Sequence, residues 1–159
     1  MLSAQAAGRP MTTLRPDTAL ATHTVENQPA ERGDLDLWAG DRPLREAVAR
    51  AGAAGRAPAL AAFGRAAGTV AMRAAGRLAN RFPPELVRFD RGGRRLDEVS
   101  FHPAYHQLMR FGLEAGYAAI AWDGAPGGQV AHAAMVYLLT QVEPGVCCPM
   151  TMSYAGTAA

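Results

Sequence analysis

The stretch Ala57-Pro-Ala-Leu-Ala-Ala-Phe-Gly-Arg-Ala-Ala-Gly-Thr-Val-Ala-Met-Arg-Ala-Ala-Gly-Arg-Leu78 decides the fold. Leu60, Phe63, Ala67, Val70, Ala74 and Leu78 recur at helical spacing, which places their side chains on one face of an α-helix. Pro58 suits the first turn, where a missing amide forfeits no intrahelical bond. The spacing predicts one continuous helix with a buried stripe, ended by Pro83-Pro84. Gly64, Gly68 and Gly76 each lower its intrinsic helicity by roughly 1 kcal/mol relative to alanine. Tertiary packing must therefore stabilise it, and close helix–helix contacts are the expected reason for these glycines.

Upstream of this helix, Asp41 can cap a short helix with Pro43 in its first turn, and Leu44, Ala47 and Val48 share its inner face as far as Gly52. Residues 22–40 carry Asn27, Pro29, Gly33 and Gly40 among isolated apolar residues, the composition of an extended arm anchored by Val25, Leu35, Leu37 and Trp38. The arm needs a surface to lie on, either this domain or a neighbouring subunit. Residues 1–21 loosely resemble a transit peptide, with Arg9 and Arg15 against the single acid Asp17. Their small residues, prolines and lack of periodicity fit a disordered extension better, or an early start codon with Met11 as the alternative.

Downstream, Glu85–Phe89 turns at Arg91-Gly92-Gly93 into Arg95–Phe101, which reads as a hairpin or hairpin-like loop. His102 before Pro103 resembles a helix start, and Leu108, Met109, Gly112, Gly116, Ala119 and Ile120 continue a helical stripe to about Asp123. Gly124 to Gly128 is a connecting turn. A further helix carries Val130, Ala134, Tyr137 and Leu138 and should stop at Pro144-Gly145. Pro149 should start a last helix, which runs into Ala159 without a stop signal and is too short to be stable alone.

Composition limits the function. A chain of 159 residues that is 49% hydrophobic fits one domain with a modest core. No run approaches the roughly 18 apolar residues of a membrane span, because Arg, Gly, Asp or His interrupts every candidate. All 16 basic residues are arginine and face 14 acids, giving a net charge of +2, which argues against a nucleic-acid-binding face. The only cysteines are adjacent, Cys147 and Cys148, and lack the spacing of a zinc site or disulfide framework, so a reducing cytoplasm fits best.

The chemistry-bearing residues give few signals. Of His23, His102, His106 and His132, only His102 and His106 stand four apart, but no third ligand follows. A helix start and a polar contact explain them better than a metal. The paired cysteines bridge only with strain, and burial is the ordinary fate of such residues. The glycines near positions 92 and 127 lack the strand-to-helix frame of a phosphate-binding loop. Arg88, Arg91, Arg94 and Arg95 interleave with Asp90, Asp97 and Glu98, as on a solvated or interface surface. No serine lies in a nucleophile context.

Several runs form an ordered series: Thr22-His-Thr-Val-Glu-Asn-Gln-Pro29, Asp41 through Gly52, Gly76-Arg-Leu-Ala-Asn80, Pro83-Pro-Glu-Leu86, Gly93-Arg-Arg-Leu-Asp97, Phe101-His-Pro-Ala104 and Cys148-Pro-Met-Thr-Met152. From Thr22 onward this series resembles the N-terminal region of AidB-like proteins of the acyl-CoA dehydrogenase flavoprotein family. The resemblance implies a mostly α fold: the helical-bundle N-terminal domain of the acyl-CoA dehydrogenase fold over residues 41–159, with a short hairpin-like insertion, truncated and incomplete. It also implies an intact parent that is a homotetramer, holds FAD and takes an acyl-CoA-type substrate. The catalytic glutamate and the flavin-binding stretch of the family lie in later domains, so no catalytic, cofactor or metal residue is expected here. Met150-Thr-Met152 is similar only superficially to the flavin-binding stretch.

In family terms the loop Thr140-Gln-Val-Glu-Pro-Gly145 approaches the acyl tail, which makes Gln141, Val142 and Glu143 substrate-pocket candidates, although the same residues could simply end a helix. DNA binding, associated with such proteins, is attributed to the absent C-terminal region. The expected role is one wall of an acyl pocket plus oligomer contacts, silent in isolation. The alternative is a non-enzymatic helical interaction module or truncated remnant. Both expectations require exposed apolar surface.

Overall fold

A computed structural model describes residue 24, residues 26–30 and residues 32–158. The expectations for residues 1–21 and for Val25 lie outside these. The chain divides at Glu31, and the larger unit, Arg32–Ala159, holds all the elements described below. They are α1 (Arg42–Arg50), a 3-10 turn (Ala54–Arg56), α2 (Ala57–Ala67), α3 (Val70–Arg81), β1 (Glu85–Phe89), β2 (Arg95–Ser100), α4 (Pro103–Glu114), α5 (Gly128–Thr140) and α6 (Pro144–Gly156).

The helix expected to run unbroken from Ala57 is two helices. Gly68 closes α2, and Thr69 adopts an extended backbone and accepts a hydrogen bond at Oγ1 from Met72 N at 3.3 Å. Asp34 Oδ1 accepts from Val70 N at 2.7 Å. Two side-chain acceptors at one point offer amide groups an alternative to continuing the helix, and local capping prevails over the apolar period. The break also rotates the buried face. Leu60, Phe63 and Ala67 are core residues as expected, but Val70 and Leu78 are exposed, and Met72, Ala75 and Gly76 are buried in their place.

The glycines have a different cause from helix–helix contact. Leu35 N donates to Gly68 O at 3.0 Å and Leu37 N donates to Gly64 O at 3.3 Å, so the segment before α1 lies backbone to backbone along α2. A Cβ on Gly64 would stand 2.7 Å from Trp38 Cβ, and one on Gly68 would collide with Leu35 O. On Gly76 it would collide with Val142 O, at the loop between α5 and α6. Trp38 is buried and Leu37 packs against the core, so these two apolar anchors dock on this chain.

α5 is the centre of the bundle, packing on α1, α2 and α6, while α4 lies between α3 and α6. Over residues 128–140 it carries no charged side chain and buries Ala131, His132, Ala134, Met135, Leu138 and Leu139, the pattern of a helix apolar on nearly all sides. Gly127 precedes it with φ +77 and its Cα lies against Ala53, where a Cβ would approach Ala53 Cβ to 2.6 Å. α4 is shorter than its stripe predicts, ending at Glu114 rather than near Asp123. Gly116 takes φ +83, Tyr117 N donates to Gly112 O at 3.0 Å and Gly116 N donates to Leu113 O at 3.0 Å, a Schellman termination. Tyr117 is fully buried just beyond it.

Two further boundaries differ. α5 ends at Thr140, and Pro144 begins α6 rather than ending its predecessor, since Glu143 caps the helix and Pro144 occupies its first turn. Pro149 falls inside α6, which closes at Gly156 with Thr157 as its C-cap. The hairpin has the expected strands and turn. β1 and β2 pair antiparallel with Leu86 opposite Val99 and a register shift between Val87 and Phe89. Asp90 Oδ1 accepts from Gly92 N at 2.8 Å and Arg94 N at 2.9 Å, and these bonds together with the Arg94 guanidinium hold its carboxyl below the ordinary carboxylate range.

Arg56 fastens the loop before α5. Its Nη1 and Nη2 donate to Asp123 Oδ2 and Oδ1, each at 2.6 Å, Nη2 also donates to Ala125 O at 2.7 Å, and Nε donates to Pro126 O at 3.0 Å. Lysine has no planar fork to make this set. The hydrogen bonds from Arg56 lower the Asp123 pKa from 3.8 to about 2. A depressed folded-state pKa adds stability that is fully present above 3.8 and disappears as pH falls through about 2.

Gly68→Ala should destabilise the fold by about 2–3 kcal/mol, the range of overpacking against backbone that has to move. Gly55→Ala, where a Cβ meets nothing within 4 Å, should change stability by less than about 1 kcal/mol. Urea unfolding monitored by Trp fluorescence compares the two. In the same assay the stability gap between the native chain and Asp123→Asn should narrow as pH is lowered from about 4 to about 2.

Candidate functional site

The two strands bring their outer ends together, with Glu85 opposite Ser100, so the residues just outside the hairpin must be neighbours. Phe82, Pro83 and Pro84 on one side and Phe101 and Tyr105 on the other line a cleft of about 400 Å³. Ala79 and Asn80 at the end of α3 extend one wall. The opposite wall is the start of α6: Glu143, Gly145, Val146, Cys148 and Pro149. Phe101 stacks on Tyr105 with ring centroids 4.2 Å apart, and Phe82 stacks on His102 at 5.0 Å, which fixes the aromatic side.

Of the three residues singled out in the sequence, the structure brings one to this cleft. Glu143 lines it and is 7% exposed. Its Oε1 accepts from Gly145 N at 2.6 Å, which caps α6. Val142 contacts α3 through its carbonyl oxygen and Cγ1 at Gly76, which holds the loop in place from behind. Gln141 is exposed and its Nε2 donates to Tyr137 O at 3.4 Å, back along α5 and away from the cleft lining.

The other wall held no residue singled out for the site, although Pro83, Pro84 and Phe101 belong to runs that carry the resemblance. Pro83-Pro84 was legible as a helix terminator and His102-Pro103 as a helix start, and the signal that joins them is the hairpin between, since antiparallel pairing makes its two flanks adjacent. His102 Nδ1 accepts from Ala104 N at 3.1 Å and so caps α4. Cys147 is buried and Cys148 exposed, both as free thiols. Among the described residues no group of three or more His, Cys, Asp or Glu side chains is arranged to hold a metal ion.

A second cluster lies on the far side of α6. His132 Nδ1 is 2.7 Å from Tyr117 O, and the ring stacks on Tyr154 at 3.8 Å. Burial pushes the Tyr117 phenol up to about 12, and its hydroxyl pairs with Thr151 Oγ1 at 3.2 Å. Trp122 Nε1 donates to Tyr154 O at 3.1 Å. These contacts tie the end of α6 to α5.

The bundle with its inserted hairpin has the acyl-CoA dehydrogenase fold. It superposes on the Caenorhabditis elegans ACDH-11 in complex with C11-CoA with a TM-score of 0.65, at 21% identity, over 89% of this chain and 25% of that one. Residues 27–159 match the family described as Adaptive response protein AidB N-terminal domain, and the chain belongs to that family. It is 46% identical over 138 residues to the putative acyl-CoA dehydrogenase AidB of Escherichia coli strain K12, a match that covers 86% of this chain and 26% of the relative. The chain thus spans about a quarter of the length of that relative. Among the described residues no helix is long and apolar enough to cross a membrane.

Glu143→Ala removes the acceptor for Gly145 N and should cost about 1 kcal/mol, whereas Glu143→Gln keeps an acceptor and should cost less than half of that. Thermal melts of the two variants, followed by far-UV circular dichroism, distinguish a capping contribution from general disruption of the loop.

Proposed function

We propose that this chain is the N-terminal helical part of a cytoplasmic FAD-dependent acyl-CoA dehydrogenase-like protein, that its cleft and the Gln141–Glu143 loop form one wall of the acyl pocket, and that it is catalytically silent alone. The observation that carries this reading is the apolar cleft between the hairpin base and the start of α6, of a size suited to an aliphatic chain. The relative's name as a putative acyl-CoA dehydrogenase supports the reaction class, and the C11-CoA complex of the structural neighbour supports an acyl thioester as the ligand.

The flavin does not fit the residues present. Arg, Lys and His are absent from the lining of the cleft, whose single charged group is the Glu143 carboxylate, and an anionic pyrophosphate would meet that charge unpaired. FAD is therefore assigned to other sequence of the parent, and no chemical step is derived for this chain. Glu143 is assigned no role as a base, since nothing places a substrate α-carbon beside it.

The hairpin supports the second element of the proposal, contacts with further domains or subunits in a homotetramer. Leu86, Phe89 and Val99 are 56%, 53% and 55% exposed, and an isolated two-stranded sheet is marginally stable in water. The same surface would serve a free-standing interaction module, the competing reading. Absorbance spectra with added FAD separate them. A form extended through the following domains should retain yellow flavin after desalting and the 159-residue chain should not. Retention by the short chain would sink the assignment of the cofactor to other sequence, and its absence from both would favour the interaction module.

A further inference from the structure

Helix capping uses one acceptor, which asparagine or serine supplies as well as glutamate. Glu143 caps α6 with Oε1, and Oε2 has no hydrogen-bond partner among the described residues. The side chain is nevertheless more than nine-tenths buried, and it lines a cleft whose other walls are mainly aromatic rings, prolines and aliphatic groups. A carboxylate oxygen is an acceptor only, and since no buried side-chain oxygen among the described residues lacks a partner, Oε2 is an acceptor that solvent reaches. Tyr105 lines the same cleft.

We infer that the cleft selects ligands in which an apolar chain carries a hydrogen-bond donor, a hydroxyl or an ammonium group, set against Glu143 Oε2, and that it discriminates against chains ending in a carboxylate. This rests on the cleft being a ligand pocket, as proposed above. The apolar walls take the chain. The donor completes the carboxylate's bonding and forms a charge-assisted hydrogen bond, stronger than one between neutral groups. A hydroxyl can in addition accept from Tyr105. A carboxylate placed there would meet like charge with no basic side chain in the lining to offset it. Within an acyl pocket, this chemistry marks hydroxylated or amino-bearing acyl chains as favoured over plain and dicarboxylic ones.

The test titrates 1-hexanol, n-hexylammonium and hexanoate into the full chain and its Glu143→Gln variant, following NMR shifts of the Phe101 and Tyr105 ring protons. The alcohol and the amine should bind the native chain at least about tenfold more tightly than hexanoate, and Glu143→Gln should shrink both gaps to within about threefold. Gly145→Ala is the second variant, since its Cβ would stand 2.7 Å from Glu143 Oε1 and must displace the carboxylate. It should lose the same discrimination if Glu143→Gln fails to fold. Binding of all three probes with equal affinity, or an order that survives both variants, overturns the inference and leaves the cleft as a simple apolar pocket. Binding by none of the three overturns the pocket itself.

Discussion

The arrangement depends on backbone approaching backbone where side chains are missing. Leu35 and Leu37 bond to carbonyl oxygens of α2 because Gly64 and Gly68 present no Cβ there, and Val142 seats its carbonyl against α3 at Gly76 for the same reason. The first contact brings Trp38 into the core beside Phe63 and Leu60. The second fixes the loop that ends in Glu143. Glycine costs helical stability in isolation, and this fold recovers it through contacts that no larger residue would allow.

From those contacts the cleft follows. The bend at Gly68-Thr69 turns α3 so that its last residues, Ala79 and Asn80, face the beginning of α6, and the hairpin then returns the chain beside its own point of departure. Neither wall is a site alone. Aromatic stacking between Phe101 and Tyr105 and the capped start of α6 are both local, and the space between them exists because α4 packs on α3 and α6 together.

The molecule also presents surface in excess of what its own core covers. The hairpin stands with β2 exposed at every residue and β1 at all but Val87, on strands rich in leucine, valine and phenylalanine. The chain belongs to the AidB N-terminal domain family and matches about a quarter of a longer relative.

The sequence by itself determined what depends on neighbouring residues: the helical class, the caps at Asp41 and His102, the hairpin with its Gly92-Gly93 turn, and a family resemblance carried by short ordered runs. Its helical period failed at Gly68-Thr69, where Thr69 caps the second helix and Asp34 from another part of the chain adds a second acceptor, and at Gly116, where a glycine reads equally as part of a stripe or as its end. Pro144 and Pro149 could each open a helix by their own chemistry, and the Glu143 side chain reaching Gly145 decided between them. Of Gln141, Val142 and Glu143, adjacency in sequence could not say which one faces the cleft. Only tertiary structure decides that, because the answer turns on the rotation of one loop against Gly76, and rotation about a packed contact leaves no trace in local composition.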